Sequence, residues 1–331
     1  MKLIRPFSNA VRLPCNAQGM SGSGKPQRPC IQQGVALIMV LLIVALATTL
    51  AAFMATQQNL WQRQVESQFD RTQARRIGIA AIDWARAILA DDARISSIDN
   101  EKEMWATRLP AMPVENGEVT GMIEDRQGRF NLNNLVRNGT TSAPDVAQFQ
   151  CLLAMLGLPA ELATALADWI DADSETQYPG GAENTYYLAL PNPYRTANRP
   201  LVEMGELSLV KGFNKNVIER LRPFVTVLPL PGAINVNFAP PEVLSAVVGN
   251  LSLSDARLLV QQRSAQPFRD IADFNQRLPH GGAQIVSGSI SVSSQFFMVT
   301  GRATVGRAQV TTEALLQRLG GWPAVVWQRV D

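Results

Sequence analysis

Five carboxylates, Asp168, Asp171, Asp173, Glu175 and Glu183, fall within sixteen residues, and the last follows the glycine pair Gly180-Gly181. Like charges this close repel one another unless a cation sits among them. Oxygen donors with glycines for tight turns suit a hard ion such as Ca²⁺, and Tyr186, Tyr187 and Asn198 add oxygens nearby. The order is not that of an EF-hand loop: counted from Asp171, position 6 lacks its glycine and position 12 is alanine. Two readings stay open on the residues alone, a calcium loop or a helix that ends in a solvated acidic turn.

Little else in the chain can do chemistry. His280 is the single histidine and precedes Gly281-Gly282 as a loop residue would, so histidine-based catalysis has almost no material. Of the three cysteines, Cys15 and Cys30 lie near the N-terminus, and Cys151 precedes Leu152-Leu153-Ala154, which predicts a buried thiol. Neither a Gly-x-Ser-x-Gly nor a histidine–cysteine metal spacing occurs. An enzyme is not expected.

Helices must position the acidic cluster. Residues 149–170 read as two helices around Gly157-Leu158-Pro159, the second ending at the first carboxylates, and residues 241–262 form a similar pair turning near 249–254. Both lie in a largely helical region, about 136–290, too long for a loop and expected to be a domain of its own. The second pair, with Ile234-Asn235-Val236-Asn237 before it and Pro267-Phe268-Arg269-Asp270 after, is similar to helix-hairpin-helix modules that grip DNA phosphates. The second glycine of such a turn is missing, no lysine occurs beyond Lys215, and only Arg257 and Arg263 sit on the following helix. A packing module is the expectation, with a membrane-anchored DNA receptor as the alternative function.

Strands flank that region. Residues 118–125 and 128–132 suggest two short strands around Arg126-Gln127-Gly128, and 294–302 with 309–315 a closing hairpin around Gly306. Upstream, residues 56–94 contain no proline and place Leu60, Val65, Phe69, Ile77, Ala81, Trp84 and Ile88 at helical spacing. The fold class expected is α+β: a long N-terminal helix packed on a small antiparallel sheet, with a large mainly α-helical domain inserted between strands.

Residues 35–55, VALIMVLLIVALATTLAAFMA, carry no charge over 21 residues, and a bilayer-spanning helix needs about 20. Joined to 56–94 they predict one helix of about 55–60 residues, roughly 85 Å long at 1.5 Å per residue. Trp61 falls where an interfacial aromatic is expected. Residues 1–34 hold Lys2, Arg5, Arg12, Lys25 and Arg28 and no acid, which places them in the cytoplasm and the C-terminal part outside. An ordinary secretory signal has a shorter apolar core that precedes its cleavage point. Here the small residue, Gly34, comes first, so a cut between Gly34 and Val35 leaves the chain anchored, as in prepilins. A plain single-span anchor with an incidental glycine is the alternative, and Met20 offers a second start. The chain has 30 basic and 28 acidic residues, and loss of the leader leaves 25 basic ones. That mildly acidic balance argues against a phosphate-neutralising role, and no nucleic acid is expected.

The pieces QQGVALIMVLLIVAL, GRFNLNNL, DWIDADSE with GAEN, NRPLVEMGEL, INVNFAPPEVL and PFRDIADF closely resemble, in order and over nearly the whole chain beyond the leader, the minor pseudopilin K family of type II secretion systems. The resemblance implies cleavage between Gly34 and Val35 by prepilin peptidase, with N-methylation of Val35. It implies a place at the tip of a periplasmic pseudopilus built on the inner-membrane assembly platform, in complex with minor pseudopilins I and J. It also implies calcium sites in the inserted domain, with Asp171, Asp173, Glu175, Glu183 and Asn198 as the expected metal ligands. The expected segments are a leader at 1–34, a membrane span at 35–55, a half-helix with first strands at 56–135, the insertion at 136–290, and closing strands with a tail at 291–331.

Two positions depart from the general pilin pattern. Val35 stands where most pilins begin with phenylalanine. Met39 stands at the fifth mature position, where pilins carry a glutamate thought to attract the N-terminal amine of a neighbouring subunit. A carboxylate within a bilayer is costly unless paired. A subunit with Met39 instead is badly placed to join beneath a growing fibre but able to start one, which makes Met39 the expected tip determinant.

Overall fold

The computed structural model describes residues 32–279 and 284–331. The leader up to residue 31, with its basic residues, Cys15, Cys30 and Met20, lies outside the described residues, as does His280. The chain forms two compact units, one ending at Arg63 and one running from Gln64 to Asp331.

Helix α1 (Gln32–Ile95) contributes to both units as a single 64-residue helix, somewhat longer than the spacing predicts. In the first unit its side chains are bare: Val35, Leu41, Leu46 and Phe53 are all more than half exposed. The most apolar window has a mean hydropathy of 2.8, and the helix is long and apolar enough to cross a membrane. Thr48 and Thr49 donate their hydroxyls to carbonyls one turn back, Ala45 O at 2.9 Å and Leu46 O at 2.8 Å, so neither leaves an unpaired polar group in lipid.

In the second unit α1 packs on a sheet of β1 (Leu109–Val114), β2 (Gly117–Asp125), β3 (Phe296–Val305), β4 (Ala308–Gln317) and β5 (Ala324–Val330), ordered β1-β2-β3-β4-β5. All neighbours are antiparallel. Ile82, Ala85 and Leu89 of α1 meet Ile123, Phe297, Val299, Ala314 and Leu316, one face of the sheet at period two. Gly78 lets the helix approach closely, since a Cβ there would stand 2.3 Å from Thr312 Oγ1.

The first hairpin differs from the expected one. β2 pairs with β1 through a turn at Glu115-Asn116, where Asn116 takes a φ of 58°. Pro110 and Pro113 stand inside β1 because it is an edge strand, where a missing N–H costs no ladder bond. Only Phe130–Asn131 of the expected second strand is extended, and it pairs in parallel with Val225–Thr226. The buried asparagines that follow explain this. Asn133 Nδ2 donates to Leu201 O at 3.0 Å and Leu228 O at 2.8 Å, and Asn131 Nδ2 to Leu230 O at 3.0 Å, so the segment clamps distant loops instead of a neighbouring strand.

Between β2 and β3 the chain runs through α2 (Ala143–Met155), α3 (Glu161–Ile170), α4 (Pro241–Val247) and α5 (Leu253–Ala265). These share an apolar core centred on Phe130, Phe149, Leu166 and Leu244, with the Phe130 and Phe149 rings stacked at 5.4 Å. Cys151 is exposed, not buried. The inward positions of α2 are Gln148, Phe149, Leu152 and Leu153, and helical spacing turns residue 151 outward. Arg263 of α5 is 6% exposed and donates through Nη1 to Val236 O at 2.8 Å, so this arginine serves packing and does not face a phosphate.

Asp125 closes β2, accepting from the Gly128 N–H. Burial pushes its carboxyl up to about 7, against hydrogen bonds from Ser294 and Gly128 that hold it down. A carboxyl raised in the folded state contributes stability that is full below the unfolded pKa near 4 and is lost as the pH rises through about 7. Asp125→Asn keeps an acceptor for Gly128 and removes that loss. In urea titrations the variant should equal wild type at pH 4 and exceed it by about 1–2 kcal/mol at pH 8. Equal stabilities at both pH values would contradict this.

Candidate metal centre

The acidic segment hangs from the C-terminal end of α3. Asp168 and Asp171, three residues apart, share one face of its last turn, and the Asp171 N–H still donates to Ala167 O at 2.9 Å while its backbone turns extended. Asp168, Asp171 and Glu183 are 0%, 1% and 2% exposed. Each uses one carboxylate oxygen locally. Asp171 Oδ2 accepts from Thr141 Oγ1 at 3.1 Å and Gln177 Nε2 at 3.2 Å, Asp168 Oδ2 from the Gln177 N–H at 3.1 Å, and Glu183 Oε2 from Thr196 Oγ1 at 3.4 Å. Gly181 lines the turn so closely that a Cβ would stand 2.3 Å from Asp168 Oδ2.

The other oxygens are bare. Asp168 Oδ1, Asp171 Oδ1, Glu183 Oε1 and Asn198 Oδ1 are all buried without a hydrogen-bond partner. Orphaned buried acceptors are rare in folded proteins, and four in one segment call for a positive charge. Asp171, Asp173 and Glu183 each bring a carboxylate oxygen within 4.8 Å of the other two. Asn198 is fixed beside them, its Nδ2 donating to Asp173 O at 2.9 Å and its N–H to Trp169 O at 3.1 Å, with a φ of 44°.

Burial and mutual repulsion show in the electrostatics. Burial above all, then the charges of Asp171 and Asp173, pushes Asp168 up to about 6. Glu183 is pushed to about 7, by burial first and then by Asp171 and Asp168. Asp171 also lies above its ordinary range, chiefly through burial. An all-oxygen donor set with three carboxylates and an amide carbonyl fits Ca²⁺.

The structure thus brings together three of the five expected ligands, Asp171, Asp173 and Glu183, with Asn198 hydrogen-bonded to the Asp173 backbone beside them. Glu175 lies outside that group; its side chain is exposed, as is that of Asp173, and its N–H donates to Asp173 Oδ1 at 2.8 Å. Tyr187 has its hydroxyl taken by the Lys211 N–H at 3.1 Å, and burial pushes it up to about 12. Asp168 was legible as part of the cluster from its spacing to Asp171; Thr141 and Gln177, which orient Asp171, carry no such signal.

A second acidic group, Asp92, Asp99 and Glu103, comes equally close together. A guanidinium fills it: Arg318 Nη2 lies 2.6 Å from Asp99 and Nη1 2.8 Å from Asp92.

Comparison with known proteins agrees with the resemblance in the sequence. Two family profiles described as "Type II secretion system (T2SS), protein K" match residues 128–230 and 234–293. Proteins named "Type II secretion system protein K" are similar over most of their length. That of Pseudomonas aeruginosa is 35% identical, covering 87% of this chain and 89% of the relative. That of Pectobacterium carotovorum is 34% identical, covering 90% and 96%. Among solved structures, a chain of the GspK-GspI-GspJ complex from the enterotoxigenic Escherichia coli type 2 secretion system is similar at a TM-score of 0.70 and 27% identity, over 81% of this chain and 99% of that one.

Proposed function

Since the chain belongs to the type II secretion system protein K family of minor pseudopilins, we propose that it starts the pseudopilus and stays at its tip, in complex with minor pseudopilins I and J. The observation that carries this reading is the helical insertion between β2 and β3, with an apolar core of its own, on a subunit that also has a bilayer-length helix. A shaft subunit must pack against neighbours above and below it, and a bulky insertion suits only an end. The complex in which its structural neighbour was solved supports the choice of I and J as partners.

In this reading prepilin peptidase cuts between Gly34 and Val35, and the assembly platform of the inner membrane receives a helix whose N-terminus faces the cytoplasm. The second unit then stands in the periplasm, and the pseudopilus serves export across the outer membrane. Calcium, held by Asp171, Asp173, Glu183 and Asn198, would neutralise buried carboxylates and brace the loop below α3. Its role in this reading is structural.

Met39 provides the test. With no carboxylate at the fifth mature position, the subunit cannot draw in the amine of a neighbour already in place. Antibody-gold labelling should find the wild-type subunit only at fibre ends, and Met39→Glu should admit some label along the shaft. Wild-type label spread along the shaft would contradict the tip assignment.

A further inference from the structure

On the face of the sheet turned away from α1, where Met298 and Leu315 point, a cleft of about 670 Å³ separates the strands from the inserted region. Four arginines, Arg126, Arg129, Arg222 and Arg329, line it against one carboxylate, Glu203. Two of them are committed, Arg222 to Glu219 at 3.1 Å and Arg329 to Glu313 at 2.8 Å. The other two are held less tightly. Arg126 has a largely buried side chain, reaches only Glu124 at 3.5 Å, and leaves its Nε buried without a partner. Arg129 makes no ion pair among the described residues, and its charge adds to burial in lowering the Arg126 pKa. Four guanidinium groups against one lining carboxylate, one of them largely buried with an unpartnered Nε, suit the cleft to an anion.

The neighbouring strand indicates what form that anion takes. β5 ends the sheet and pairs only with β4, and all but its last residue are exposed. Trp327 and Arg329, two residues apart, share the face that lines the cleft. An open edge is a template for an added strand, and guanidinium forks match carboxylates two bonds at a time. We propose that this cleft docks an extended acidic segment of a partner protein, its backbone beside β5 and its carboxylates on Arg126 and Arg129.

The test uses the full chain in detergent and a fluorescein-labelled octapeptide of alternating glutamate and valine, followed by anisotropy. Saturable binding is expected, weakened at least about tenfold in the double variant Arg126→Gln/Arg129→Gln and unchanged in Arg307→Gln, a turn arginine outside the cleft. Arg129→Gln alone, which breaks no ion pair and keeps the fold, should weaken binding about threefold or more. A peptide N-methylated at alternate residues should bind as poorly as the double variant, because strand addition needs its N–H groups. Three results would overturn the proposal: no saturable binding, affinity unchanged in both arginine variants, or displacement by inorganic phosphate as effective as by unlabelled peptide, which would mark a small-anion site.

Discussion

Arg318→Leu should destabilise the second unit by about 3–5 kcal/mol at neutral pH, the loss expected when one partner of a buried charge network is removed. Arg318 follows directly on β4 and is 9% exposed. Its guanidinium binds Asp99 at 2.6 Å, Asp92 of α1 at 2.8 Å and Ser294 O at 3.1 Å, and lies 4.6 Å from the centre of the Phe297 ring. Asp99 in turn accepts from the Ser294 N–H at 2.7 Å, so one side chain ties the end of α1, the segment after it, the entry to β3 and the exit from β4. Leucine fills the volume but strands two carboxylates. Burial already raises both above their ordinary range even with Arg318 opposing it. Carboxyls raised in the fold lose stability as the pH climbs through their folded pKa, and loss of the cation raises them further. The difference between variant and wild type should therefore be largest at pH 7 and above and smaller at pH 4.5, as protonation removes the stranded charges. An equal loss at both pH values would mean that only packing was removed.

Asp171→Asn should reverse its effect with calcium. Without the metal, wild type holds Asp171, Asp173 and Glu183 against one another with Asp168 alongside, and the amide relieves that repulsion. In EGTA at pH 8 the variant should be as stable as wild type or slightly more so. With calcium at about a hundred times its Kd, wild type gains about 2.7 kcal/mol, or roughly 5–10 °C in Tm for a unit of this size, and the variant gains little. Protons compete for the same oxygens. Because Glu183 and Asp168 titrate near 7 and 6 in the metal-free protein, the calcium-induced shift should be full at pH 8 and fade below about 6. Equal calcium shifts in wild type and variant would remove Asp171 from the metal centre.

Much of this architecture was legible because its signals are local. The uncharged run that opens α1, the apolar spacing through Ile88, and the turn at Gly157 needed only period and composition. The acidic cluster was legible as a cluster because Asp168 and Asp171 share a helix face, while Asn198 had only its nearness to suggest it. What escaped depends on contacts distant in sequence. Gln177, from a loop, and Thr141, from a two-residue strand, orient Asp171 with no pattern of their own. Asn131 and Asn133 satisfy carbonyls some seventy to a hundred residues away and so end a strand that propensity would continue. Pro110 and Pro113 stand in a strand that no local signal announces, because edge position, which permits them, is a property of the sheet. Cys151 is the exception, since helical spacing alone would have turned it outward.

Assembly with two partner subunits is tested most directly by the mass in solution. A fragment beginning at Gln64, the start of the second compact unit, is mixed with the matching fragments of minor pseudopilins I and J in calcium and sedimented to equilibrium. The tip reading predicts a single species at the summed mass of one copy of each. Three separate monomers, from fragments shown to be folded, would contradict it.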